Sequence, residues 1–133
     1  ALAEHDLDPI WLIAPTTSLE RTRAICDHAR GFVYYVSLKG VTGAASLDVD
    51  SVAGHVESIR AATRLPVGVG FGVRNGEDAG RLGQVADAVV VGSAIVSRIA
   101  DHAGDDAAIL RAIDAMTREL RAGLDAPVAE AQP

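Results

Sequence analysis

The sequence predicts an α/β fold in which four consecutive strand–helix units share one parallel sheet. Two observations carry this reading. Short apolar, β-branched runs begin near residues 10, 32, 66 and 87, and each is followed by a segment whose apolar residues recur at helical spacing. Alternation of this kind makes a parallel sheet with right-handed crossovers. The Ala88–Val91 run, AVVV, is moreover apolar on both faces, as a parallel strand covered by helices reads.

The first unit opens with Ile10–Ala14, IWLIA, a fully apolar strand after Asp8-Pro9. Pro15-Thr16-Thr17 ends it, and Ser18 is placed to cap a helix to about Ala29, with Leu19, Thr22, Cys26 and Ala29 on one face. The second strand is Phe32–Ser37, FVYYVS. Leu38–Ser46, LKGVTGAAS, reads as a loop with two glycines, suited to movement. Asp48 or Asp50 caps the next helix, in which Val49, Val52, Ala53, Val56 and Ile59 share a stripe.

The third strand, Pro66–Phe71, alternates Val67, Val69 and Phe71 with Gly68, Gly70 and Gly72. Asn75 caps a short helix that faces Ala79 and Leu82 inward, and Asp87–Val91 is the fourth strand. After a helix from Ala94 and a polar break, a last helix is expected to bury Ile109, Leu110, Ile113, Met116 and Leu120 along one face. The unit is expected to span residues 1–122, with a disordered tail over 123–133.

With 133 residues the chain suits one domain, and 49% hydrophobic residues exclude wholesale disorder. A formal charge of −6 without basic clusters argues against a nucleic-acid partner. No apolar run reaches membrane-spanning length, so no membrane partner is expected and the compartment reads as cytoplasmic. The single cysteine, Cys26, lies mid-helix and reads as a buried inert thiol. His5, His28, His55 and His102 fall in helices or at their ends, so none is assigned to catalysis or metal binding. The chain has no initiating Met and is expected to be part of a longer subunit.

Two turns point to function. The third strand ends in Gly70-Phe71-Gly72 and the fourth in Gly92-Ser93, each followed at once by a helix start. Glycine lets backbone approach a ligand closely, and unsatisfied N–H groups at a helix N-terminus favour an anion. Either turn alone reads equally well as a tight strand–helix connection. Side by side on the C-terminal face of a parallel barrel, the pair favours a phosphate held between them.

The segments GFVYYVSLKGVTG (31–43), PVGVGFGV (66–73) and ADAVVVGSAIV (86–96) together resemble the C-terminal half of the tryptophan synthase α subunit. The resemblance runs from about Pro9 to Leu120 and implies the C-terminal half of a (βα)8 TIM barrel, strands five to eight. It also implies an activity, cleavage of indole-3-glycerol phosphate to indole and glyceraldehyde 3-phosphate in tryptophan biosynthesis. On that resemblance the backbone N–H groups of Gly43, Phe71, Gly72, Gly92 and Ser93 hold the substrate phosphate. Leu12 lines the indole pocket, Tyr34 stands on the pocket wall, and Thr42 lies in the closing loop. From the residues alone, Tyr34 reads first as a core tyrosine and Lys39 as a solvated loop lysine.

The family's retro-aldol chemistry needs an acid and a base. The resemblance places both, a glutamate and an aspartate, in the N-terminal half, so no catalytic residue is assigned here. It further implies no cofactor in this chain, an N-terminal half-barrel needed for completion, and a β subunit carrying pyridoxal phosphate in an alpha2-beta2-type complex. The alternatives are another sugar-phosphate barrel, such as an isomerase or epimerase, and a non-catalytic half-barrel binding module.

Overall fold

A computed structural model describes residues 2–36, 48–70 and 72–126. After a 3-10 turn at Leu2–His5 come β1 (Trp11–Ile13), α1 (Leu19–His28), β2 (Val33–Val36) and α2 (Val49–Arg60). They are followed by β3 (Val67–Gly70), α3 (Gly76–Gly83), β4 (Ala88–Val89), α4 (Ser93–Asp101) and α5 (Asp106–Asp125). The four strands form one parallel sheet in the order β1-β2-β3-β4. Each new strand is therefore added on the same side of the last. Right-handed crossovers then put every connecting helix on one face of the sheet.

Local chemistry sets the helix starts. Ser18, Asp48, Asn75 and Asp105 each accept a hydrogen bond from the backbone N–H three residues on, at 3.3, 3.0, 2.9 and 2.9 Å. Asp48, not Asp50, is thus the cap of α2; Asp50 sits in the first turn, where its charge complements the helix dipole.

The core lies between the sheet and its helices. Ile13, Val33, Tyr35, Val67 and Val69 meet Val52, Val56 and Ile59 of α2, Ala79 and Leu82 of α3, and Met116 and Leu120 of α5. Leu82 is fully buried, which is worth about 1.5–3 kcal/mol for a side chain of its size. Cys26 is buried, and burial raises its thiol pKa, as expected of an inert core cysteine.

Four expectations are corrected. Leu110 is 70% exposed, because the inward stripe of α5 runs through half-buried Ile109 and Ile113 to buried Met116 and Leu120, and Leu110 lies about 100° off it. Leu19 likewise leaves its expected face and is exposed, while Thr22 and Cys26 are buried. The expected tail from Gly123 is helical to Asp125, because Gly123 packs directly on α3. The strand read as Asp87–Val91 pairs only over Ala88–Val89, and Ala88 and Val90 are exposed. It is an edge strand whose other face no helix covers.

Helices α3 and α5 approach through glycines. A Cβ on Gly76 would lie 2.6 Å from the Glu119 carbonyl oxygen, and one on Gly80 2.7 Å from that of Gly123. One on Gly123 would strike the Gly76 carbonyl. The Glu119 side chain also accepts a hydrogen bond from the Gly76 N–H at 3.0 Å, which ties the two helices at the start of α3. Across the sheet's N-terminal end, the Asp87 carboxylate accepts from the Val67 N–H at 2.8 Å and from Arg60 at 3.0 Å.

Two outcomes are expected. Gly123→Ala forces α3 and α5 apart and costs about 1–3 kcal/mol in urea unfolding. The second concerns Asp87, whose carboxyl pKa is lowered, first by the Val67 N–H and then by Arg60. A depressed carboxyl pKa stabilises the fold above the unfolded value, about pH 3.9, and that stability is lost as pH falls through the folded value. Asp87→Ala should therefore cost about 1 kcal/mol at neutral pH, after discounting for its exposure. Unfolding curves of the wild type and this variant should converge in acid.

Candidate functional site

The face of the sheet without helices carries the candidate site. Parallel register sets Leu12, Tyr34, Gly68 and Ala88 in one row across the four strands. Alternation along the strands puts Val36 and Gly70 on the same face, one step nearer the C-terminal ends. Leu12 is 58% exposed and Ala88 is exposed, so this surface is apolar and open.

Tyr34 does not stand upright in its row. Its ring leans over Gly70, with Cε2 and Cζ 2.6 Å from where a glycine Cβ would be and the hydroxyl in that space too. Phe32 covers Gly68 in the same way, its ring 3.3 Å from the equivalent point. The glycines of β3 thus receive aromatic rings from the neighbouring strand. The sequence reading missed this use, although the alternation of glycine in one strand with aromatics in the next is its signal.

The two glycine turns lie side by side. Val69 pairs with Val89, and Val90 donates to the Val69 carbonyl at 2.8 Å; Gly72 and Gly92 each follow three residues past that Val69–Val89 pair. Gly72 has φ +56°, a left-handed conformation that favours glycine. Nothing lies within 4 Å of a Cβ built on Gly72 or Gly92, so both turns border open space.

Gly92 is the N-cap of α4 and makes no side-chain cap bond, unlike the N-caps of the other α-helices among the described residues. Its carbonyl accepts from the N–H groups of Ile95 at 3.0 Å and Val96 at 3.1 Å. Ser93, the first residue of α4, is exposed. The N–H groups of this first turn are available to an anion.

Of the residues singled out from the sequence, Leu12, Tyr34, Gly72, Gly92 and Ser93 fall at this end or on this face of the sheet. Thr42, Gly43 and Phe71 lie outside the described residues. The acids are engaged elsewhere: Asp48 caps α2, Asp78 accepts from the Arg74 N–H, and Asp87 is at the opposite end of the sheet. The two histidines with assigned contacts bond helix carbonyls, His28 that of Ala24 and His55 that of Ser51.

Residues 1–125 match the family model described as tryptophan synthase alpha chain. The chain belongs to the tryptophan synthase alpha chain family. It is 56% identical over 124 residues to the tryptophan synthase alpha chain of Thioalkalivibrio sulfidiphilus, covering 93% of this chain and 47% of that one. With the protein of the same name from Alkalilimnicola ehrlichii it shares 54% identity over 125 residues, covering 94% and 46%.

Among solved structures it superposes on tryptophan synthase subunit alpha from Legionella pneumophila with a TM-score of 0.78 and 34% identity, covering 92% of this chain and 44% of that one. Tryptophan synthase from M. tuberculosis in an open form gives a TM-score of 0.76 at 36% identity, covering 94% and 43%. The chain spans about half the length of the curated relatives it matches. Its four βα units correspond to less than half of these family structures.

The packing of Tyr34 on Gly70 is open to a double-mutant test. Gly70→Ala should destabilise by about 1–3 kcal/mol by displacing the Tyr34 ring. In a Tyr34→Ala background the same change should cost markedly less in denaturant unfolding.

Proposed function

We propose that this chain is the phosphate-binding part of a tryptophan synthase α subunit, which cleaves indole-3-glycerol phosphate to indole and glyceraldehyde 3-phosphate. The observation that carries the reading is the pair of adjacent glycine turns beside the uncapped N-terminus of α4, in a chain of this family. The N–H groups of Gly72, Gly92 and Ser93 hold the phosphate, with Phe71 and Gly43 contributing, and the Ser93 hydroxyl adds a donor. Leu12 and Tyr34 form one wall against the indole ring. Thr42 belongs to the loop that closes over the substrate and excludes water.

Holding the phosphate fixes the other end of the substrate, so its reacting carbon is presented in one orientation. In the cleavage, the bond between indole C3 and the adjoining carbinol carbon breaks and its electron pair passes to the ring. A proton is delivered at C3, and the carbinol hydroxyl loses its proton as the aldehyde forms. The acid and base for these transfers come from an N-terminal half-barrel, not from this chain, and the step uses no cofactor here. The same reading includes a β subunit carrying pyridoxal phosphate as partner and a cytoplasmic location. No helix among the described residues is long and apolar enough to cross a membrane, which accords with that location.

The test is indole release from indole-3-glycerol phosphate, by this chain alone and mixed with an N-terminal half-barrel carrying the two acids. Activity only in the assembled mixture is the expected result. Within that mixture Ser93→Asp, which sets a carboxylate against the phosphate, should raise KM by on the order of tenfold or more. An assembled but inactive mixture that binds other sugar phosphates would redirect the assignment to an isomerase or epimerase.

A further inference from the structure

Helix α5 backs both elements that carry the glycine turns. It packs along α3, which follows the Gly72 turn, and against α4, which starts at Gly92. Where α5 meets the start of α3, the Glu119 carboxylate accepts a hydrogen bond from the Gly76 N–H at 3.0 Å. We propose that Glu119 is a positioning residue for the phosphate site. By holding the first residue of α3 to α5, it sets where the Gly72 turn stands relative to the Gly92 turn. The inference rests on the phosphate reading of the two turns and adds to it a residue outside them.

The path from Glu119 to Gly72 is short and held at each step. β3 is paired with β2 as far as Gly70, so the turn leaves the sheet from a fixed point. Beyond Gly72, Val73 is buried in the core. The Arg74 N–H donates to the Asp78 carboxylate at 3.2 Å, and the Asn75 side chain accepts from the Asp78 N–H at 2.9 Å. Those two bonds tie the end of the turn to α3, so it follows the first turn of that helix.

Gly76 is where α3 is fixed to α5. A Cβ added there would lie 2.6 Å from the Glu119 carbonyl oxygen, and the Gly76 N–H meets the Glu119 carboxylate. Glu119 thus engages Gly76 with its main chain and its side chain together. The absence of a Cβ permits the approach, and the carboxylate gives it a direction. The Asn75 cap serves the Asp78 N–H, whereas the Gly76 N–H, another orphan donor of the helix start, is served from α5. Gly72 itself borders open space, so the turn has no second support on that side.

Charge and position predict opposite effects. A carboxylate near an anion site opposes the anion, so on charge alone loss of Glu119 would favour phosphate. If the carboxylate positions the turn, loss of its bond weakens phosphate binding. Glu119→Gln and Glu119→Ala separate the two, because both remove the charge and only the second removes the acceptor. Glu119 is exposed on its helix and alanine is the best helix former, so the fold of the alanine variant is retained.

The experiment titrates inorganic phosphate into the chain assembled with its N-terminal half-barrel, followed at the Gly72 and Gly92 amides by NMR. KM and kcat for indole-3-glycerol phosphate are measured on the same assembly. Glu119→Gln should bind phosphate at least as tightly as the wild type, and Glu119→Ala about three- to tenfold more weakly, the effect of one hydrogen bond. KM should rise by the same factor in the alanine variant with kcat unchanged, since the phosphate grip serves bound substrate and transition state alike. Wild-type Gly72 and Gly92 amides that ignore phosphate would overturn the phosphate reading and this inference with it. A responsive wild type in which the two variants bind alike would overturn the positioning role alone. So would a fall in kcat at unchanged KM, the mark of a merely less stable fold.

Discussion

Four parallel strands laid side by side in chain order commit all their crossover helices to one face. Most other features follow from that asymmetry. The helix-covered face gathers Val33, Tyr35, Val67 and Val69 into a close-packed core. The other face is left with Leu12 and Ala88 exposed and Tyr34 half-buried, and with β1 and β4 as unpaired edges among the described residues. Sheets of this kind bury both faces by closing into a barrel. The family structures that superpose on this chain are more than twice its extent, in keeping with a surface that another half of the barrel covers.

Glycine does three different jobs here, and they are separated by what occupies the space a side chain would fill. At Gly68 and Gly70 it is an aromatic ring, that of Phe32 just before β2 and that of Tyr34 within it. At Gly76, Gly80 and Gly123 it is the backbone of the facing helix, which lets α3 and α5 pack at the closest range. At Gly72 and Gly92 it is nothing, and the space is open at the C-terminal edge of the sheet. Only the third class has the geometry of a ligand site. All three classes look alike in a sequence.

The helix caps tell a similar story about α4. Four helices start on a side chain that satisfies a backbone N–H, and three of these starts were legible from Ser18, Asn75 and the choice between Asp48 and Asp50, while the Asp105 cap of α5 was not. The fifth starts on Gly92 and leaves its first turn for an external acceptor. Such an exception means little by itself. It gains meaning because the register of β3 and β4 sets it next to the Gly72 turn.

By itself the sequence determined the number and order of the βα units, the caps, the family and the two glycine turns. Each is encoded locally, in hydrophobic period, capping chemistry and motif. It misplaced Leu110, Leu19, the reach of β4 and the end of α5, because burial depends on which neighbours arrive. Leu110 keeps helical spacing but falls off the inward stripe of α5, and Gly123 lies within that helix with its Cα face against Gly76. The side-by-side placing of the two turns, the ring of Tyr34 over Gly70 and the bond from Gly76 to Glu119 were likewise decided by the tertiary structure. They join residues far apart in the chain, and no local signal carries a distance.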